Sequence, residues 1–232
     1  MRVFVSTSND YLHCLPSFAY LFTKHYSRKQ PVVVACYERM PEGLPPNFAI
    51  HQIGRQEDYT WSSGFMKFLN EVDDELFVLI FEDCFITRRV DIELIARLGQ
   101  YMHDDPRVVK IDLTGDRYRY THDPYGVVEG VELVQTTHDA PYQFSTQPAI
   151  WRRDHMLEFL DPKENPWQSE RGGTWRIMTA RKEGWDKLIL GVKERVFWHI
   201  NAVGGQGAHP REWSRKYFSP ELWSELSSRG LV

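Results

Sequence analysis

The sequence predicts an α/β fold, a single domain with a mostly parallel central sheet flanked by helices. Three observations predict it. Short apolar runs alternate with helix-length segments through the first half of the chain, as they do in βαβ units. Those runs are apolar throughout rather than alternating apolar and polar, which marks strands buried on both faces. The 232 residues, 42% hydrophobic and 14% aromatic, are also enough to bury one sizeable core.

The elements follow in order. Residues 2–6 (RVFVS) form the first strand, and polar Ser6-Thr7-Ser8-Asn9-Asp10 follows it. Leu15, Phe18, Ala19, Phe22 and Tyr26 recur at helical spacing. The helix starts near Asp10, whose carboxylate can accept free backbone N–H groups, or later, because Pro16 is tolerated only in a first turn. Residues 31–37 and 48–53 read as strands joined by the turn-rich MPEGLPPN, and 64–72 as a short helix. LFVLIF at 76–81 is the most apolar run and reads as the central strand. A helix over 90–103 and a strand over 108–113 complete a front half ending near residue 115. In the back half, strands are expected over 127–134, 142–151 and 195–200, and helices over 153–160 and 172–184, before a Gly-, Pro- and Trp-rich tail. The change of character suggests a nucleotide-binding half, 1–115, and an acceptor-binding half, 116–232, within one domain.

Composition excludes several classes. Charged residues at 26% argue against disorder, and a net charge of −4 gives no global field toward nucleic acid or anionic membrane. Cys14, Cys36 and Cys84 are too few and scattered for a disulfide framework or zinc site, and read as buried thiols of a reducing compartment. No apolar window approaches the ~20 residues of a membrane span, and the N-terminus lacks the apolar stretch of a signal peptide. A cytoplasmic protein without stable membrane insertion is expected.

In an open α/β sheet, ligands bind beyond the carboxyl ends of the strands, and Glu82-Asp83 stand there, directly after LFVLIF. Carboxylates are the hard oxygen ligands that Mg²⁺ or Mn²⁺ prefers, and a cation so held neutralises a diphosphate. The plainer alternative is a pair that caps the strand end.

Thr60-Trp61-Ser62-Ser63, LFVLIFEDCFI at 76–86, APYQFSTQPAIWRRDHMLEFL at 140–160 and ENPWQSE at 164–170 occur in that order. Together they resemble a bacterial and phage group of GT-A-like glycosyltransferases of cell-surface polysaccharide type. In that group a "WS" segment precedes an apolar strand ending in Asp-Asp, and a "SxQPAIW" strand and an "ExPWxFE" turn follow. The resemblance covers roughly residues 1–210. The chain departs from the pattern at Glu82, which replaces the first aspartate, at Cys84, where an aromatic is usual, and at Ser169, which replaces the phenylalanine of "WxFE".

The resemblance implies a nucleotide-sugar donor, a UDP-sugar first among them, and a metal held by Asp83 and Glu82. Ser6, Thr7, Asn9 and Asp10 end the first strand, where base and ribose would sit. Trp61, Ser62 and Gln147 are the other expected donor contacts, Gln147 with Ser145 on the expected strand over 142–151. Glu170 is the candidate base that takes the acceptor hydroxyl's proton, with Asp83 as its catalytic partner at the metal and Glu164 in reserve. A carboxylate at a helix start, favoured by the dipole, is the alternative for Glu170. Trp167 offers a flat face to an acceptor sugar. His199 is the candidate third metal ligand, His209 a second choice, and the glycine-rich 204–207 a candidate lid without a phosphate-loop pattern.

From Arg171 to Arg195, seven basic residues (Arg171, Arg176, Arg181, Lys182, Lys187, Lys193 and Arg195) face three acidic ones (Glu183, Asp186 and Glu194). They read either as a solvated face or as a phosphate site. The acceptor is expected to be a surface glycan. A hydroxymethylated base of phage DNA is the alternative, and it would show steep salt dependence and require base flipping. A nucleotidyltransferase would want a Gly- and Lys/Arg-rich loop after the first strand, which STSND is not. A non-catalytic sugar-binding module, suggested by eight tryptophans, has no need of a diphosphate-neutralising metal.

Overall fold

In the computed structural model, which describes residues 1–204 and 212–232, the front half folds as the apolar runs predict. It comprises β1 (Arg2–Ser6), α1 (Leu15–His25), β2 (Val32–Cys36), β3 (Phe48–Gln52), α2 (Trp61–Asn70), β4 (Leu76–Phe81), a short β5 (Cys84–Ile86), α3 (Ile92–Asp104) and β6 (Val108–Asp112). The back half adds β7 (His122–Val128), β8 (Val131–Thr136), β9 (Ala149–Arg152), α4 (Arg153–Phe159), α5 (Pro166–Lys182), β10 (Leu188–Val192), β11 (His199–Asn201) and α6 (Pro220–Ser227).

Nine strands form one sheet in the order β3-β2-β1-β4-β9-β6-β10-β8-β7, and β11 pairs with β5 in a separate two-stranded ribbon. β3, β2, β1 and β4 are mutually parallel, as are β6 and β10, while β9 runs antiparallel between β4 and β6. β9 therefore threads a back-half strand into the front-half sheet, and the two halves share one layer. Alternation along each strand divides the interior between two faces. Val3, Val5, Val78 and Ile80 pack with α1 and α3 on one side. Phe4, Phe77 and Leu79 pack with α2, α4 and α5 on the other.

The back half corrects four expectations. Residues 127–134 are not one strand, because Glu129 and Gly130 adopt φ of 52° and 82°. Positive φ at both central residues makes a tight hairpin turn, here between β7 and β8. The strand expected over 142–151 is confined to 149–152, because the backbone donors before it bond to α5 side chains instead of a neighbouring strand. Phe144 N donates to Thr174 Oγ1 (3.1 Å) and Thr146 N to Glu170 Oε1 (2.8 Å). The helix expected from 172 begins at Pro166, because Asn165 and Gln168 cap it reciprocally. The strand expected over 195–200 lies elsewhere: Leu188–Val192 fills the main sheet, and only His199–Asn201 is extended, paired with β5. The tail contributes α6, capped by Ser219 and tied to α1 by the Lys24–Glu225 ion pair.

Candidate functional site

β4 delivers Glu82-Asp83 to the carboxyl edge of the sheet, and the chain turns at once into β5. Glu82 is 4% exposed, and its Oε2 is buried without a hydrogen-bond partner among the described residues. Burial first, and then the neighbouring Asp83 charge, raises the Glu82 carboxyl well above the carboxylate range. Asp83 is half-buried, and burial pushes its carboxyl up to about 6. Its backbone oxygen accepts from Phe85 N (3.0 Å) and Ala202 N (2.8 Å), so β5 and the segment after β11 fix the turn. Tyr11 lies beside the pair, its phenol raised to about 12 by burial and then by Asp83 and Glu82.

The end of β1 forms the adjoining wall. Trp61 Nε1 donates to Ser6 Oγ (2.9 Å), and its ring stacks on Phe65 and leans on Phe81, bridging the ends of β1 and β4. Thr7 is buried next to Glu82. Asn9 is fixed by Gln56 and Glu38: its N–H donates to Gln56 Oε1 (2.6 Å) and its Nδ2 to Glu38 Oε1 (2.7 Å). Asp10 follows in the same turn, its backbone oxygen 3.1 Å from His13 Nδ1. Ser62 does not belong to this surface. It is fully buried, and its hydroxyl pairs with that of Ser169 (2.7 Å), joining α2 to α5. The serine at 169, small where the resemblance has phenylalanine, is what lets the helices meet this way.

Across β9, a cavity of about 600 Å³ opens between the segments that follow β6 and β10, the loop before β9, and the ribbon. Glu170, Ser145, Gln147 and His199 line it. Glu170 sits in the second turn of α5 rather than at a helix start. Its Oε1 accepts from both Thr146 N and Thr146 Oγ1 (2.8 Å each), which fixes the carboxylate. Beneath lies a buried charge cluster: Lys110 Nζ is 2.9 Å from Asp112 Oδ1 and donates to Ser145 Oγ (2.7 Å), and Arg117 Nε is 2.9 Å from Asp112 Oδ2. Burial lowers the Lys110 ammonium to about 8 despite Asp112. Gly191 makes room for Arg117, since a Cβ there would meet Arg117 Cγ at 2.4 Å.

His199 is held down to about 4 by burial and then Arg195, and its Nδ1 is buried without a hydrogen-bond partner among the described residues. Its strand pairs with β5, Asn201 opposite Cys84, so the cavity wall is attached to the segment that carries Asp83. Among the described residues, however, no three His, Cys, Asp or Glu side chains gather at metal-binding spacing, so Glu82, Asp83 and His199 do not assemble as a set. His209 and most of the 204–207 stretch lie outside the described residues.

The remaining expected residues separate. Gln147 and Ser145 precede β9 rather than lie on it. Trp167 is 36% exposed and is not among the cavity's lining residues. Glu164 is occupied by a two-point pair with Arg176 (2.9 and 2.7 Å). The basic residues of 171–195 are dispersed: Arg176 holds Glu164, Arg181 is buried on Gln143, and Lys193 pairs with Glu132. Of these residues of 171–195, only Arg195 lines the cavity. Local sequence pattern does not single out Lys110, Asp112, Thr146, Arg117, Arg119, Tyr120 or Tyr142. The one visible signal was the dense Asp-Arg-Tyr-Arg-Tyr run at 116–120.

No family model matches the chain, and a search of curated proteins returns no match. Solved structures do align. A mannosyltransferase from Pyrobaculum calidifontis, in complex with GDP-Man and Mn²⁺, matches at TM-score 0.53 and 14% identity, over 90% of this chain and 58% of that one. S. aureus TarS 1-349 matches at 0.55 and 13% identity, over 87% of this chain and 61% of that one. A complex of the same TarS fragment with UDP matches at 0.53 and 11% identity. The chain therefore spans about three fifths of these structures. At such identities the likeness shows the fold alone, a GT-A-like α/β fold, and no helix among the described residues is long and apolar enough to cross a membrane.

Proposed function

We propose that the protein transfers a sugar from a nucleotide-sugar donor, a UDP-sugar first among candidates, to an acceptor hydroxyl on a glycan. The observation that carries this reading is the acidic pair at the end of β4, where Glu82 keeps a buried oxygen with no partner among the described residues, beside half-buried Asp83. Two carboxylates with few further protein ligands suit Mg²⁺ or Mn²⁺, which take remaining ligands from substrate phosphates. Asp83 would be the direct ligand and Glu82 the supporting one. When bound there, the cation neutralises charge on the diphosphate leaving group.

The chain's own groups do the rest. Ser6, Thr7, Asn9, Asp10 and Trp61 border the donor at the ends of β1 and β4. Gln147 reaches the donor sugar from the loop before β9. Glu170, oriented by Thr146, takes the acceptor hydroxyl's proton through its second oxygen as that hydroxyl attacks the anomeric carbon. Trp167, on the same helix, offers a platform to an outlying acceptor sugar.

The test is thermal unfolding with UDP-, GDP- and other nucleotide sugars, with and without Mn²⁺. A metal-dependent rise in midpoint that Asp83→Ala removes is expected. If no nucleotide sugar stabilises the protein in a metal-dependent way, the reading fails.

A further inference from the structure

The cavity around Glu170 holds positive charge that donor binding and proton transfer do not use. Three arginines line it, and they differ in what they are bound to. Arg117 is committed, 3% exposed, against Asp112 and with Nη1 donating to Pro141 O (3.0 Å). Arg119 and Arg195 approach the single carboxylate of Asp116 at 3.7 and 3.8 Å, beyond hydrogen-bonding distance. Arg195 also gives its Nε to Thr114 O (2.8 Å), which anchors the side chain and leaves its outer nitrogens toward Asp116. One carboxylate thus stands between two guanidiniums at long range, a surplus of positive charge with forked donors suited to an oxyanion.

Aromatic walls stand beside them. The Tyr120 and Tyr142 rings both line the cavity, 5.6 Å apart and tilted by 40°. Tyr142 has φ of 54°, a left-handed conformation that costs energy in a non-glycine residue. Buried groups on either side enforce it: Arg117 on the Pro141 carbonyl, and Gln143 on the carbonyls of His138 and Ala140. The fold spends stability to hold that ring in the cavity. The strands that lead to these groups are not β4. Arg119 follows β6, two strands from β4, and Arg195 follows β10, three strands away. At about 4.8 Å per strand, the ends of β6 and β10 lie roughly 10–14 Å across the sheet from the end of β4, while β11, on the same cavity wall, reaches back to β5 through Asn201 and Cys84.

We propose that the acceptor is an anionic sugar, carrying a phosphate or carboxylate group bound by Arg119 and Arg195, with Tyr120 and Tyr142 flanking its ring. This rests on the glycosyl-transfer reading of the cavity.

The test follows thermal unfolding and Kd of the full chain with glucose 6-phosphate, glucuronate, glucose, a short DNA duplex and UDP as separate probes at constant ionic strength. Glucose 6-phosphate or glucuronate is expected to stabilise where glucose does not, and the stronger of the two identifies the oxyanion. The double variant Arg119→Gln/Arg195→Gln is expected to weaken that binding roughly tenfold to a hundredfold, the loss of a charge-assisted pair, while the UDP-induced shift persists and shows an intact fold. Asp116→Asn, which removes the competing carboxylate, is expected to tighten it. The inference is overturned if the anionic sugars do no better than glucose, if their binding survives the double variant, if the UDP shift disappears with the arginines, or if only the DNA duplex binds. Absence of any Mn²⁺-dependent shift with UDP, GDP or their sugars in the unmodified protein overturns the glycosyl-transfer reading instead, and the anionic-sugar arms then decide whether the cavity binds an oxyanion.

Discussion

Replacing Lys110 by methionine isolates the buried charge cluster beneath the cavity. Lys110 is fully buried, with its ammonium on Asp112 and Ser145 and over the Trp151 ring at 4.8 Å. Burial lowers its pKa from 10.5 to about 8, with Asp112 opposing that shift and Arg117 adding to it. Between those two values the unfolded chain binds a proton that the folded chain does not, so this residue's contribution to stability rises with pH across the window. At about 1.4 kcal/mol per unit, the full rise is about 3 kcal/mol. Subtracting the unfolding free energy of Lys110→Met from that of the unmodified protein removes the background of other titrating groups. That difference, from urea unfolding between pH 7.5 and 10 at constant ionic strength, should climb steadily in favour of the unmodified protein. The variant itself should be tolerated near neutral pH, because Asp112 keeps Arg117 as a partner. Asp112→Asn, which strands two buried cations, should cost about 3–5 kcal/mol. A difference that is flat or falls with pH would refute the argument that burial dominates at Lys110.

Three further outcomes follow from the same geometry. Glu170→Gln keeps an oxygen to accept both Thr146 bonds, so kcat should fall by about 10²–10⁴ with little change in melting temperature, read by nucleotide release. A parallel loss of stability would assign Glu170 to structure instead. Gly191→Ala drives a methyl into Arg117 at 2.4 Å and should cost about 1–3 kcal/mol in urea unfolding; no loss would mean that Arg117 moves freely. Ser62→Ala and Ser169→Ala each leave one buried hydroxyl unpaired, at about 1–3 kcal/mol, while the double variant should cost less than the sum. Strict additivity would show that the two hydroxyls do not interact.

Much of the architecture was legible in the residues alone. RVFVS, VVVAC and LFVLIF are too continuously apolar to be anything but strands buried on both faces, and their turns are polar enough to end them. That places Glu82-Asp83 at a strand's carboxyl edge from the residues alone, because the position depends only on where a local run stops. Glu170 was legible as a candidate, but its partner was not, since the bond to Thr146 joins residues 24 apart in sequence. The back half was misread where backbone donors turn to side chains: Phe144 and Thr146 bond to α5, so a strand-like run stays a loop and presents Ser145 and Gln147. The buried ion cluster leaves no periodic signal, because Lys110 and Asp112 look like solvent-facing residues until Trp151, Ser145 and Arg117 close over that face. Local pattern decided which segments are strands and helices. Only tertiary contact decided which charges lose their water: Glu82, Lys110, Asp112 and Arg117 are buried by segments distant in sequence.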